Sequence, residues 1–137
     1  MKTSPLATKM KLKPGHSAAI IAAPANYLKE LAPLPAGVNM STGLKGKYDW
    51  VQLFVKSKAE IGRMAPRAIR ALKPESILWI SFPKGSSRIQ TDLTRDKGWE
   101  VLHDADLKWI TLISVNETWS AFAMRPYKPG EAKQSFR

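Results

Sequence analysis

Cysteine is absent from the 137 residues. That excludes a disulfide framework, a thiolate metal site and a cysteine nucleophile, and it accords with a reducing compartment. Histidine occurs only at His16 and His103. Neither stands in a metal-ligand spacing or in a Ser-His-Asp order, so no catalytic residue and no metal are expected. No apolar run approaches the roughly 20 residues that cross a bilayer. The lysine-bearing N-terminus also lacks the apolar stretch of a secretory signal. A cytoplasmic protein with no membrane contact is the expectation. Gly85 is not followed by the Gly-Lys-Ser/Thr ending of a P-loop. Acid is scarce as well: 11 Asp and Glu stand against 22 Lys and Arg, for a net charge of +11. Such a balance attracts phosphate-bearing partners at long range, although basic ends also serve solubility.

What is present is an ordinary share of apolar residues, 44% of the chain, enough for one domain with a proper core. Residues 1–13 show no periodicity and read as a flexible basic arm carrying Lys2, Lys9, Lys11 and Lys13. A single domain is expected over 14–126 and a polar tail over 127–137. After the Pro14-Gly15 turn signal, HSAAIIAA (16–23) reads as a buried strand. Pro24-Ala25-Asn26 breaks it. Residues 27–31 leave room for a short helix, and 38–40 for a brief second strand. YDWVQLFV (48–55) is a strand apolar on both faces. The helix over 57–74 opens on a capping box, Ser57 and Glu60. Its buried face is Ile61, Met64, Ala65, Ala68 and Leu72, and Pro66 is expected to bend it or fray its first turns. SILWIS (76–81) is the next strand, so residues 48–84 form a βαβ unit of the kind that builds parallel sheets. A loop follows at 82–88, then a short helix starting at Thr91-Asp92 and another turn at 99–102. Residues 109–115 and 119–125 read as strands joined by a three-residue hairpin.

This order resembles the core of class I S-adenosylmethionine-dependent methyltransferases. Tyr48-Asp49-Trp50-Val51 before a helix, Leu72-Lys73-Pro74, the strand at 78–81 and the terminal hairpin carry the likeness. It implies a three-layer, Rossmann-like α/β domain. Its open sheet would be mostly parallel, with strands in the order 2-1-3-4-6-5 and a C-terminal antiparallel hairpin. A second resemblance rests on segments 12–15, 22–31, 33–38, 48–55, 78–84, 91–99 and 118–122. Together these are similar to a family of short bacterial proteins known as domain of unknown function 3052, which implies the fold and no activity. The methyltransferase pattern would put glycines after the first strand and an acid after the second. Here the first place reads Ala22-Ala23-Pro24-Ala25-Asn26, and the second reads Asn39, Met40 and Ser41. No cofactor is therefore expected, and S-adenosylmethionine least of all.

In an open sheet of this kind ligands sit beyond the carboxyl ends of the strands. The candidate ligand-binding residues are Asn26 and Tyr27, then Lys84, Gly85, Ser86, Ser87 and Arg88 for an anion, with Thr91, Asp92 and Arg95 following. Read without a ligand, Ser87 or Thr91 caps a helix. The leading reading is a non-catalytic binding or regulatory module that takes a small anionic ligand. The first alternative is a nucleic-acid-associated protein using Lys9, Lys11, Lys13 and the helical stripe Arg63, Arg67 and Arg70. The second is a degenerate transferase. Trp50, Trp79 and Trp109 suit a core, whereas Trp119 suits an interface. The hairpin edge offers a strand for pairing with a second copy.

Overall fold

The computed structural model describes residues 3–94, 97–103, 105 and 107–132. Six strands form one sheet: β1 (Ser17–Ile21), β2 (Asn39–Ser41), β3 (Tyr48–Phe54), β4 (Leu72–Pro83), β5 (Leu107–Ser114) and β6 (Trp119–Pro126), in the order β2-β1-β3-β4-β6-β5. The first four are parallel, and β6 and β5 run antiparallel to their neighbours. This is the architecture that the resemblance to the methyltransferase core implies, hairpin included.

Alternation along the strands sends side chains to two cores. Val51, Leu53, Leu78 and Ile80 point to one face, where they meet Ile61, Ala65 and Ala68 of α3 (Lys58–Arg70) and Leu102 of α4 (Glu100–His103). Trp50, Phe54 and Trp79 point to the other, where they meet Ala7 of α1 (Pro5–Lys9), Met10, Leu12, and Tyr27 and Leu31 of α2 (Tyr27–Leu31). None of these helices is long and apolar enough to cross a membrane, among the described residues.

The structure corrects the loose arm. Ser4 caps α1, its hydroxyl oxygen accepting from the Ala7 amide at 3.0 Å while its hydrogen goes to the Leu31 carbonyl. Ala7 and Met10 are fully buried. The indole N–H groups of Trp50 and Trp79 both donate to the Met10 carbonyl, at 2.8 and 2.9 Å. Two aromatic donors that would otherwise be buried without a partner are satisfied by this segment, and that fixes it on the sheet. Its apolar residues gave no period because the contacts are tertiary.

Smaller departures also have local causes. α3 keeps the serine half of its capping box, Ser57 Oγ accepting from the Glu60 amide at 3.1 Å, while the Glu60 carboxylate reaches one residue further back and accepts from the Lys56 amide at 2.6 Å. The helix runs unbroken through Pro66, where the missing hydrogen bond falls on its exposed side. It stops at Arg70, not 74, because β4 already begins at Leu72. Residues 73–75 bulge from the ladder, and Ser76 closes the bulge by donating to the Tyr48 carbonyl and accepting from the Lys73 amide. Residues 91–94 are not helical. Trp119 is buried against Phe54, ring centroids 5.0 Å apart, rather than set at an interface.

Candidate functional site

The sheet reverses its strand order between β1 and β3, so the loops after those strands border the crevice that such sheets offer to ligands. The loop after β1 has no glycine, yet Ala22 has φ 62° and Asn26 φ 69°. Both lie in the left-handed region that side chains disfavour, and strain of this sort persists where the surroundings enforce it, often beside a ligand. Between them, Ala23 and Pro24 form the wall of two hollows.

The first hollow, about 480 Å³, lies toward β2. It is lined by Ile20, Ala22, Ala23, Pro24, Asn26, Tyr27, Leu28, Lys29 and Thr42. Leu28 stands 42% exposed on its rim, a large apolar side chain with no protein to cover it. The second, about 440 Å³, lies toward β3 and β6 and takes in Phe54, Lys56, Glu60, Ile89, Thr118 and Trp119.

Tyr27 forms part of the first hollow's floor and is itself buried. Its hydroxyl donates to Gln52 Oε1 at 2.9 Å, and Gln52 Nε2 donates to Ser81 Oγ at 2.9 Å. Gln52 and Ser81 are fully buried in adjacent strands. This chain of polar groups lies beneath the switch point and sets the position of α2. Burial holds the Tyr27 hydroxyl well above its ordinary value of 10.0, with the Gln52 hydrogen bond opposing the shift.

Of the residues expected to bind a ligand, Asn26 and Tyr27 line this hollow. The anion candidates make contacts within the protein. Lys84 turns its ammonium to Ser114 Oγ at 2.6 Å on the hairpin. Ser87 Oγ donates to the Lys84 carbonyl at 2.8 Å, which closes the turn through Gly85 and Ser86, and Arg88 is exposed beyond it. Thr91 Oγ1 donates to the Lys56 carbonyl at 2.6 Å, and Asp92 Oδ1 accepts from the Lys58 amide at 2.9 Å. The first turn of α3 is thus met by the protein's own carboxylate, as the helix dipole favours. Arg95 lies outside the described residues. Lys84, Ser87, Thr91 and Asp92 are not among the residues that line either hollow.

The nucleic-acid candidates separate as well. Lys9 belongs to α1 on one face of the sheet and donates to the Ser114 carbonyl at 2.8 Å. Lys11 and Lys13 follow it, both exposed. Arg63, Arg67 and Arg70 project from α3 on the opposite face. A single strand of nucleic acid cannot lie across both groups on one face. Sequence reading missed Ala22, Leu28, Lys29 and Thr42. A backbone torsion and a tertiary hollow leave no mark in composition.

No protein-family model matches the chain, so the resemblance to domain of unknown function 3052 gains no support, and no curated protein matches it either. Solved structures do. The tRNA methyltransferase TrmK of B. subtilis aligns over 93% of this chain and 67% of its own, at 12% identity and a TM-score of 0.53. DhpI in complex with SAH aligns over 89% and 83%, at 10% identity and a TM-score of 0.61. A SAM-dependent methyltransferase from Aquifex aeolicus aligns over 85% and 86%, at 15% identity and a TM-score of 0.55. At such identities the likeness establishes a methyltransferase-like fold. It also overturns the expectation that sets S-adenosylmethionine aside, because DhpI, which shares the fold, is seen with SAH and with SAM. The loop after β1 has no glycine, but Ala22 and Asn26 in it take up left-handed backbone.

Proposed function

We propose that this methyltransferase-fold chain is a binding module whose hollow beyond β1 and β2 takes an adenosyl ligand of the SAM and SAH type. The observation that carries the reading is the loop 22–26, with left-handed residues at both ends and the 480 Å³ hollow against it. A volume of that order suits a nucleoside-sized ligand. Leu28, Ile20 and Pro24 offer apolar surface to a purine ring, and Asn26 and Thr42 offer neutral polar groups to a ribose. Among the described residues no carboxylate lines this hollow, so hydroxyl and amide groups would meet the sugar. Lys29 on the rim suits a carboxylate such as the one on the ligand's amino-acid end.

A transferase is the second reading, and the second hollow favours it. The two hollows share Ala22, Ala23 and Pro24, so a molecule in one would lie beside a molecule in the other. Glu60 there is already engaged, by the Lys56 amide and by Arg63 at 3.8 Å. It holds the helix start and is not poised as a base.

The test is thermal denaturation with SAM, SAH and adenosine at about 1 mM, where even a Kd of that size half-fills the site. A rise in melting temperature with SAH, lost in Leu28→Glu, is expected. No shift with any of the three sinks the reading. Incorporation of labelled methyl groups into an acceptor mixture then separates transfer from binding alone.

A further inference from the structure

From the first hollow a track continues down the β2 side of the domain. Thr42 lines both that hollow and a second depression of about 230 Å³, which includes Leu44 and Arg67. Leu44 and Arg67 in turn line a third, about 200 Å³, with Gly46 and Arg70. The track thus runs between the loop 42–47 and α3, from the carboxyl ends of the strands to the start of β4. Its banks carry Lys45 and Lys47 on the loop and Arg67 and Arg70 on the helix, all exposed. Among the described residues none of the four is ion-paired with an acid. Two acids on the neighbouring elements are already committed, Asp49 to Lys73 at 3.0 Å and to the Ser17 amide, and Glu60 to Arg63, while Glu75 stands exposed in the bulge of β4. Lys47 donates to the Arg70 carbonyl, which ties the loop to the helix and keeps the two banks at a fixed distance. Gly46 has no side chain to fill the bottom depression, and a Cβ placed there would meet nothing within 4 Å.

A row of cations without acidic partners along a groove, with Gly46 and Ala71 in its lower depression, suits a backbone of repeated phosphates. We propose that this track binds the phosphodiester backbone of a single-stranded nucleic acid, through Lys45, Lys47, Arg67 and Arg70. The proposal goes beyond the adenosyl reading and does not depend on what occupies the first hollow. It also replaces the basic ends by one defined surface, since Lys9 and Lys13 stand on the other face.

The experiment measures fluorescence anisotropy of a labelled single-stranded RNA 20-mer with the full-length protein over a series of salt concentrations. Two double variants remove the same charge: R67E with R70E on the track, and K9E with K13E on the opposite face. Circular dichroism and melting temperature confirm that each is folded. The track variant is expected to weaken binding at least tenfold at low salt. Its log–log salt slope should fall by about 0.7 for each phosphate the variant no longer neutralises. The other variant should change affinity less than threefold. Three results overturn the proposal: no binding of the 20-mer at low salt, equal weakening by both variants, or displacement by poly-glutamate as effective as displacement by unlabelled RNA.

Discussion

Removing residues 1–13 tests whether the N-terminal segment is part of the fold or an appendage. In the structure it buries Met10 completely and Leu12 to 3% exposure. Each such side chain contributes about 1.5–3 kcal/mol through apolar area removed from water. The two indole hydrogen bonds to the Met10 carbonyl are worth about 1 kcal/mol each. Together these come to about 6 kcal/mol, a large part of the roughly 5–15 kcal/mol that holds a domain folded. Truncation also uncovers Trp50 and Trp79, which are fully buried in the intact protein. Urea titration of the truncated chain, followed by tryptophan emission, should show a red-shifted folded baseline and a midpoint near zero denaturant, or no cooperative transition. The milder Met10→Ala should lose about 2–5 kcal/mol by the cavity it leaves. If the truncated chain unfolds within about 1 kcal/mol of the full-length protein, the packing argument is refuted and the segment is an arm after all.

Other substitutions probe the loop, the buried polar chain and the tail. Ala22→Gly relieves a left-handed alanine at φ 62° and should stabilise the protein by about 1 kcal/mol in the same titration. Gly98→Ala should cost roughly 1–3 kcal/mol. The residue has φ 102°, and a Cβ would lie 2.3 Å from the buried Leu93 side chain. Tyr27→Phe leaves Gln52 Oε1 without its donor and should lose about 1–3 kcal/mol near neutral pH. Because burial raises the Tyr27 value above 10.0, its contribution is complete below that pH. It is lost as pH rises above it, so the variant should show a flatter alkaline stability profile. Glu131 accepts from Arg125 at 2.7 and 2.9 Å, from Lys108 at 2.9 Å and from the Lys128 amide at 2.9 Å. These bonds, that from Arg125 foremost, hold its value well below the ordinary 4.5. Its hold on the tail is therefore present above pH 4.5 and lost as pH falls below it. Glu131→Gln should speed hydrogen exchange at Lys128 at neutral pH, and acid should produce the same change in the unsubstituted protein.

Some of the site could be read from the chain, and some could not. Asn26 and Tyr27 were expected beyond the first strand because a break after an apolar strand marks its carboxyl end, and they line the hollow there. Lys84, Ser87, Thr91 and Asp92 have the residue types of an anion cradle, and in the fold they also hold the hairpin, a turn and the start of α3. The same side chains serve either purpose, and only the identity of their partners decides between them. The glycine-free loop after β1 was misleading for a related reason. A left-handed backbone is usually, but not necessarily, glycine, and packing around Ala22 and Asn26 imposes it here.

The sequence by itself determined the sheet. The alternation of apolar strands with a capped amphipathic helix, and the closing pair of strands around a short turn, the first of them rich in β-branched residues, follow from local periods and local caps. The strand order itself came from the resemblance to the methyltransferase core, and the sheet has that order. The tertiary structure decided what residues 3–13 do, which face each basic group occupies and where the hollows lie. The contacts responsible join positions as far apart as Met10 and Trp79. Such contacts have no period to read, because they exist only once the sheet has brought its two faces into being.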